Sequence, residues 1–286
     1  VNVPLFAGLT LRELVRRRLV AAVAILSLII VAFTAWGMHR LATAVVDGAP
    51  IAEPGVRATA AGIVLLLAFL FSFVVALGAA LVGAPALAES IANGEILAVL
   101  ARPVRRSEIV VGRWLGTVAA LGIYVAVTGG LELLVVRVAT GYLPPQPLVA
   151  LGYLAGVAAV VTTAAIALAT RLPALAAGMV SALLFGLAWI AGIVESIGLA
   201  LGNTRLADAG TIVALVFPSD ALWRGAVYAL QPAAFRSIAA GANASGTAVN
   251  PFGAPAPPPP ALLAWACGWI VAVLAAAVIA FRTRDL

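Results

Sequence analysis

Residues 89–114 read ESIANGEILAVLARPVRRSEIVVGRW. They separate two long apolar stretches, and seven charged side chains fall between Glu89 and Arg113 in a chain that is only 10% charged and 64% hydrophobic. Glu89 to Ala101 has no helix breaker except Gly94, so a short helix is expected. Pro103 ends it, because a proline displaces the preceding residue, Arg102, from α geometry. Ser107 is then expected to cap a new helix, with Glu108 at its positive end, running into the next apolar stretch. The product is a helix, a break and a second helix. Ile96, Leu97 and Leu100 stand as apolar knobs among Glu95, Arg102, Arg105 and Arg106. A purely solvated loop does not need such knobs, and a buried one does not accommodate such charges. A surface that mixes both suits docking to a soluble partner.

The runs on either side set the fold class. The 286 residues have a mean hydropathy of +1.15, far too apolar for a water-soluble domain of this size. A helix crosses about 30 Å of hydrocarbon with about 20 apolar residues. Leu19–Met38, Ala58–Ala88, Trp114–Leu131, Leu148–Thr170, Leu172–Val194 and Ala261–Phe281 meet that test without one charged side chain. They are continuous rather than alternating and too long for barrel strands. The expected fold is all-α: a polytopic membrane bundle in one domain over residues 1–286. Its spans are placed at about 19–38, 59–84, 109–136, 148–170, 172–197 and 261–281, the ends of several being drawn in or out from the apolar runs. The first apolar run is too long, and too poor in a cleavage site, for a removable secretory signal; it reads as a retained anchor.

All seventeen basic residues are arginine. With the N-terminus inside, eleven arginines fall on inner segments and six on the longer outer ones. That bias follows the positive-inside rule and places both termini in the cytoplasm, in a plasma (inner) membrane. The charge of +6 is then a topology signal. Nucleic-acid binding is not expected, since no basic face carries stacking aromatics.

Outside the spans, Leu11, Leu14 and Val15 recur at helical spacing between arginines, with Thr10 placed to cap. This reads as a short N-terminal interfacial helix, or as a charged extension of the first span. His39–Arg57 reads as irregular, and the prolines of Tyr142–Pro147 make a tight external turn. Thr170–Ala174 is a short inner hairpin carrying Arg171. Phe217–Leu230 reads as an outer interfacial helix. In it Ser219 or Asp220 serves as the cap, Asp220 pairs with Arg224, and Trp223, Val227 and Leu230 form an apolar edge. A proline-rich tether follows it, up to residue 260. Glu132, Arg137 and Glu195 lie near the outer boundary, and read as pairing with one another or with a headgroup, with substrate contact as the alternative.

Several chemistries find no residues. The chain has no lysine for a P-loop. His39 is the single histidine and Cys267 the single cysteine, which leaves no imidazole- or thiolate-rich metal site and no disulfide framework. No nucleophile motif is present. Catalysis by this polypeptide alone is not expected, and no cofactor or metal is assigned to it.

The segment at residues 89–113 closely resembles the stretch between spans two and three of ABC-2-type transporter permeases. That stretch runs through an acidic residue, Gly, a leucine pair, Pro, a basic residue, Glu-Ile and Gly-Lys. Glu89, Gly94, Leu97, Leu100, Pro103, Arg106, Glu108, Ile109 and Gly112 fall on the pattern, with Arg113 where the family often has Lys. The N-terminal helix, Pro218-Ser219-Asp220 and the terminal FRTRDL are also similar, especially to six-span permeases of the nitrous-oxide-maturation type. The resemblance implies a half-transporter that pairs with a second copy or a homologous permease chain. Two separate ATPase subunits would supply ATP and magnesium chemistry. It also implies that residues 89–106 form a coupling helix in a groove of the ATPase, with Glu89, Gly94, Glu95, Leu97, Leu100, Arg102, Pro103, Arg105 and Arg106 at the contact. Arg171 is a second cytoplasmic contact, and export is the usual direction. Rival readings are an ion-driven secondary transporter, which calls for ionisable groups near mid-membrane, and a non-transporting membrane scaffold. With no charged cavity legible, an apolar or amphipathic cargo fits best.

Overall fold

Backbone groups in hydrocarbon must find partners within their own helix or a closed barrel. Helices are what the apolar runs form. The computed structural model describes residues 3–16, 18–46, 48–94, 105–237, 253–254 and 256–284. In chain order these residues give α1 (Val3–Arg16), α2 (Arg18–Ala42), a small hairpin of β1 (Val45–Val46) and β2 (Ala49–Pro50), then α3 (Glu53–Ala92), α4 (Arg106–Thr140), α5 (Pro147–Ala169), α6 (Ala174–Ala200), α7 (Thr204–Val216), α8 (Ser219–Leu230) and α9 (Pro260–Arg282). Six of them, α2 to α6 and α9, are long and apolar enough to cross a membrane. The all-α bundle expected from composition is what the chain adopts.

Burial assigns places within the bundle. The most apolar window of α5 is 61% buried, against 11% for α2 and for α9, so α5 is the axis and the other two are peripheral. Around α5 stand α3, α4, α6, α8 and α9, while α2 lies on α4 and α7 on α6. The helices meet through small residues. Ala60, Ala61, Ala76, Ala79 and Ala80 of α3 are fully or almost fully buried, as are Ala158 and Ala165 of α5. Small side chains let helix axes approach closely where lipid supplies no hydrophobic drive for association.

Two helices extend well past their apolar cores. α3 has 40 residues and α4 has 35, about 60 Å and 52 Å at 1.5 Å per residue. Both project charged turns beyond any 30 Å slab, at the end where Arg106, Arg113, Arg171, Arg282 and Arg284 gather. We call this the arginine-rich end and the opposite one the far end.

The region expected to be irregular between the first two spans is ordered: α2 continues to Ala42, the hairpin follows, and α3 starts at Glu53 with Pro54 in its first turn. Thr10 caps nothing. It sits in the middle of α1, which starts at Val3, and its hydroxyl donates to the Phe6 carbonyl at 2.9 Å.

The largest departure is at the far end. α8 is no interfacial helix with a single apolar edge: Ser219, Asp220, Leu222, Trp223, Ala226, Val227 and Leu230 are all buried. It meets α7 at 100° across Phe217-Pro218, so the two form a broken pair rather than one surface helix. Such a break frees carbonyls at the end of α7, which need donors in an apolar setting. Two indoles of α9 provide them: Trp265 Nε1 donates to Leu215 O and Trp269 Nε1 to Val216 O, each at 2.8 Å. The turn before α5 closes on the same region, where the Tyr142 phenol donates to Leu230 O at 3.2 Å. Burial pushes that phenol up to about 12, which keeps it a donor. Of the proline-rich tether after α8, residues 238–252 and 255 lie outside the described residues.

Candidate functional site

The sequence motif of residues 89–113 falls between the two longest helices, at the arginine-rich end. α3 carries the chain through Glu89, which is exposed, to Ala92. Asn93 N–H then donates to Glu89 O at 2.8 Å and Gly94 N–H to Ile91 O at 3.3 Å. Gly94 has φ +70, the left-handed conformation that stops helices and that residues with a Cβ adopt at a cost. A Cβ on Gly94 would meet nothing within 4 Å. Its left-handed conformation is what ends α3. Glu95, Leu97, Leu100, Arg102 and Pro103 lie outside the described residues.

The chain is described again at Arg105, exposed and extended, and α4 begins at Arg106. The cap differs from expectation by two residues. Ser107 lies inside the first turn, and it is Arg105 whose backbone N–H donates to Glu108 Oε2 at 3.3 Å. The acidic residue thus does sit at the positive end of the helix, where it is stabilising.

Arginines then lace this end together. Arg106 Nη1 donates to the carbonyls of Phe281, Arg282 and Arg284, at 3.3, 3.0 and 2.8 Å. These are last-turn and following carbonyls of α9, which no helix can satisfy by itself. Arg171, in the hairpin between α5 and α6, donates from Nη2 to Thr283 Oγ1 at 2.9 Å. Arg284 returns the contact to Thr170 O at 2.5 Å. The structure therefore brings together two arginines that sequence reasoning placed on separate contacts, Arg106 and Arg171, and joins them through the end of α9. The 175-residue separation of Arg106 from Phe281 leaves no local signal of that contact.

α1 completes the assembly. Phe6, Thr10 and Leu14 are its buried face, laid on Gly112 and Gly116 of α4. A Cβ on Gly116 would stand 2.6 Å from Ala7 O and 2.8 Å from Thr10 Cβ, so only glycine lets α1 lie this close. Arg113 donates to Ala86 O of α3 and stands 3.7 Å from Glu13 of α1. One side chain thus joins α4 to two other helices at the point where the motif enters α4.

At the far end the charged residues also differ from the sequence reading. Glu132 and Arg137 do not pair. Arg137 is exposed. Glu195 pairs instead with Arg224, at 3.0 Å, which also holds Asp220 at 2.7 Å. Only the Asp220–Arg224 half of this network has helical spacing and was legible beforehand. Glu132 lines a cavity of about 460 Å³ between α2, α3, α4 and α5, although no charged cavity was expected.

Residues 7–286 match the family model described as ABC-2 family transporter protein. The chain belongs to that family. A search of the curated proteins finds no match. The ABC-2 chain is accordingly a multi-pass membrane protein, and the family assigns it the permease part of an ABC transporter, a transport subunit rather than a catalyst.

Proposed function

We propose that this ABC-2 chain is the permease of an ATP-driven exporter, pairs with a second copy or a homologous permease chain, and is driven by two ATPase subunits that carry ATP and magnesium. The observation that carries the reading is the whole-chain family match. It is supported by the absence of any lysine, since a P-loop needs one to reach the terminal phosphates, and nucleotide chemistry then belongs to another subunit. The membrane is the plasma (inner) membrane and both termini are cytoplasmic, on the strength of the eleven-to-six arginine bias.

In this reading residues 89–106 dock in a groove of the ATPase through Leu97 and Leu100, ringed by Glu89, Glu95, Arg102 and Arg105, with Arg171 nearby. Closure of the ATPase pair on ATP moves that segment. α3 and α4 take up the motion directly, because the segment joins them, and Arg106 passes it to α9. The membrane helices α2, α3 and α6 then rock across the interface with the second permease chain. The outer face of α2, with Ile25, Leu28 and Trp36 exposed, is available for that pairing.

Changing both Leu97 and Leu100 to Asp places charge where the docking face must be dry. Capture of an ATPase subunit by the affinity-purified permease should fall by at least about tenfold, with membrane insertion unchanged. Capture at the wild-type level rejects the coupling role of this segment. Direction is tested separately, by ATP-dependent uptake into inside-out vesicles carrying the reconstituted pair: uptake supports export, and uptake only into right-side-out vesicles loaded with ATP overturns it.

A further inference from the structure

The cavity between α2, α3, α4 and α5 has a composition that asks for a particular ligand. At about 460 Å³ it lies within the roughly 300–1,000 Å³ of small-molecule sites. Its walls include Phe33 of α2, Phe71 of α3, Tyr124 of α4, and Leu151 and Leu154 of α5. Glu132 is the single charged side chain among the lining residues.

The hydrogen bonds around it leave a buried carboxylate oxygen open. Ser27 Oγ donates to Val23 O at 2.8 Å and lies 2.9 Å from the Tyr124 hydroxyl. Ser27's only hydroxyl proton goes to Val23, so the Tyr124 proton is directed at Ser27. Thr34 and Thr128 line the cavity with Glu132. Glu132 Oε2 is buried and has no hydrogen-bond partner. An acidic group at membrane depth without a partner is costly, and such groups mark ligand or ion pathways. Glu132 lies eight residues before the end of α4, about 12 Å along the axis, so it sits inside the far half of the bundle rather than at its tip.

The mouth tells how a ligand arrives. Lining residues Ile29, Phe33 and Leu70 are 59%, 70% and 52% exposed, and all three are apolar. An opening edged this way faces hydrocarbon, so the occupant enters from the bilayer and is itself lipophilic. Its polar part must give a hydrogen bond to a carboxylate, and a charge-assisted N–H donor does this best.

We infer that this pocket binds a lipophilic molecule carrying one amine, its apolar body among Phe33, Phe71, Leu151 and Leu154 and its nitrogen on Glu132 Oε2. As a binding site it stands on the cavity alone. As the place where cargo leaves the membrane, it rests on the permease reading above.

The test uses the full chain in phosphatidylcholine nanodiscs, dialysed to equilibrium against 1-pyrenemethylamine or its isostere 1-pyrenemethanol, with empty discs subtracted. The wild type should hold the amine saturably and at least about tenfold more tightly than the alcohol, the margin of one charge-assisted hydrogen bond. Glu132→Gln should bring the amine to the affinity of the alcohol, and Ala68→Phe, which fills the cavity, should weaken both. Equal binding of amine and alcohol by the wild type overturns the inference, and that comparison needs no variant to fold. So does amine binding unchanged in both variants. Replacing a third of the lipid by phosphatidylethanolamine separates the sources of the amine. Weaker probe binding identifies a lipid headgroup as the occupant, unchanged binding a free lipophilic amine, and either outcome supports amine recognition at Glu132. No ATPase is present, so failure here leaves the coupling role standing, and lost ATPase capture in the Leu97/Leu100 variant leaves the pocket standing.

Discussion

Arginine fastens both ends of the bundle, but against different partners. At the arginine-rich end Arg106 and Arg284 donate to backbone carbonyls and Arg171 to a hydroxyl, all neutral acceptors. At the far end Arg224 lies between two carboxylates, Asp220 and Glu195, and also donates to Gly192 O at 2.6 Å. Neutral acceptors tie segments together without cancelling charge, so these three side chains keep theirs. Carboxylates cancel the charge, which is what allows Arg224 to fasten the buried α8 to α6. Asp220 is only 5% exposed, and a buried charge must be matched.

The sharpest way to break this comparison is Arg224→Met. It leaves Asp220 unmatched beside Glu195, and removal of one partner from a buried pair costs about 3–5 kcal/mol. Thermal unfolding of the purified variant should show a large loss, recovered in good part when Asp220→Leu is added. Failure of the second change to rescue the first would mean that Arg224 acts through packing instead. A smaller effect is expected from Arg106→Ala, which releases the last carbonyls of α9. With the site half open to water the expected loss is about 1–2 kcal/mol, local rather than global. Amide exchange over 279–283 should speed up while the unfolding midpoint of the bundle barely moves. The smallest effect separates location from burial. Glu53 and Arg57 pair at the start of α3 but are 71% and 53% exposed, and Glu53→Gln should change stability by less than about 0.5 kcal/mol. A loss matching that of Arg224→Met would show that position at the far end, rather than burial, decides what an ion pair contributes.

What the sequence made legible follows the same division. Six apolar runs specify six helices because hydrocarbon leaves the backbone no alternative. Where the helices stop was less legible. Polar turns of α3 and α4 extend beyond the apolar runs, and stopping them depends on single residues such as Gly94. Thr10 looked like a cap because threonine often is one, yet its hydroxyl bonds as well to the carbonyl four residues back. α8 looked interfacial because Asp220 and Arg224 are charged. Burying it takes Glu195 from another helix and the Trp265 and Trp269 indoles from a third, contacts that span 29 to 53 residues and have no periodicity. The motif at residues 89–113 reads as a helix, a break and a second helix whose arginines ring a docking face, whereas Arg106 is half-buried against the end of α9. Glu132 was noticed as a charge out of place, but its cavity is made by four helices and exists only once they are assembled.

α4 holds Arg106 in its first turn and Glu132 near its last, 26 residues apart in one helix without proline, or about 39 Å. A beam of that length pivoting about its middle swaps displacement from end to end. A swing of about 10° that draws one end aside by some 3–4 Å carries the other about as far the opposite way, from the rise of the helix alone. Work done on one surface of the membrane would then appear as an inverted stroke beside the carboxylate near the other, with no relay of side chains in between.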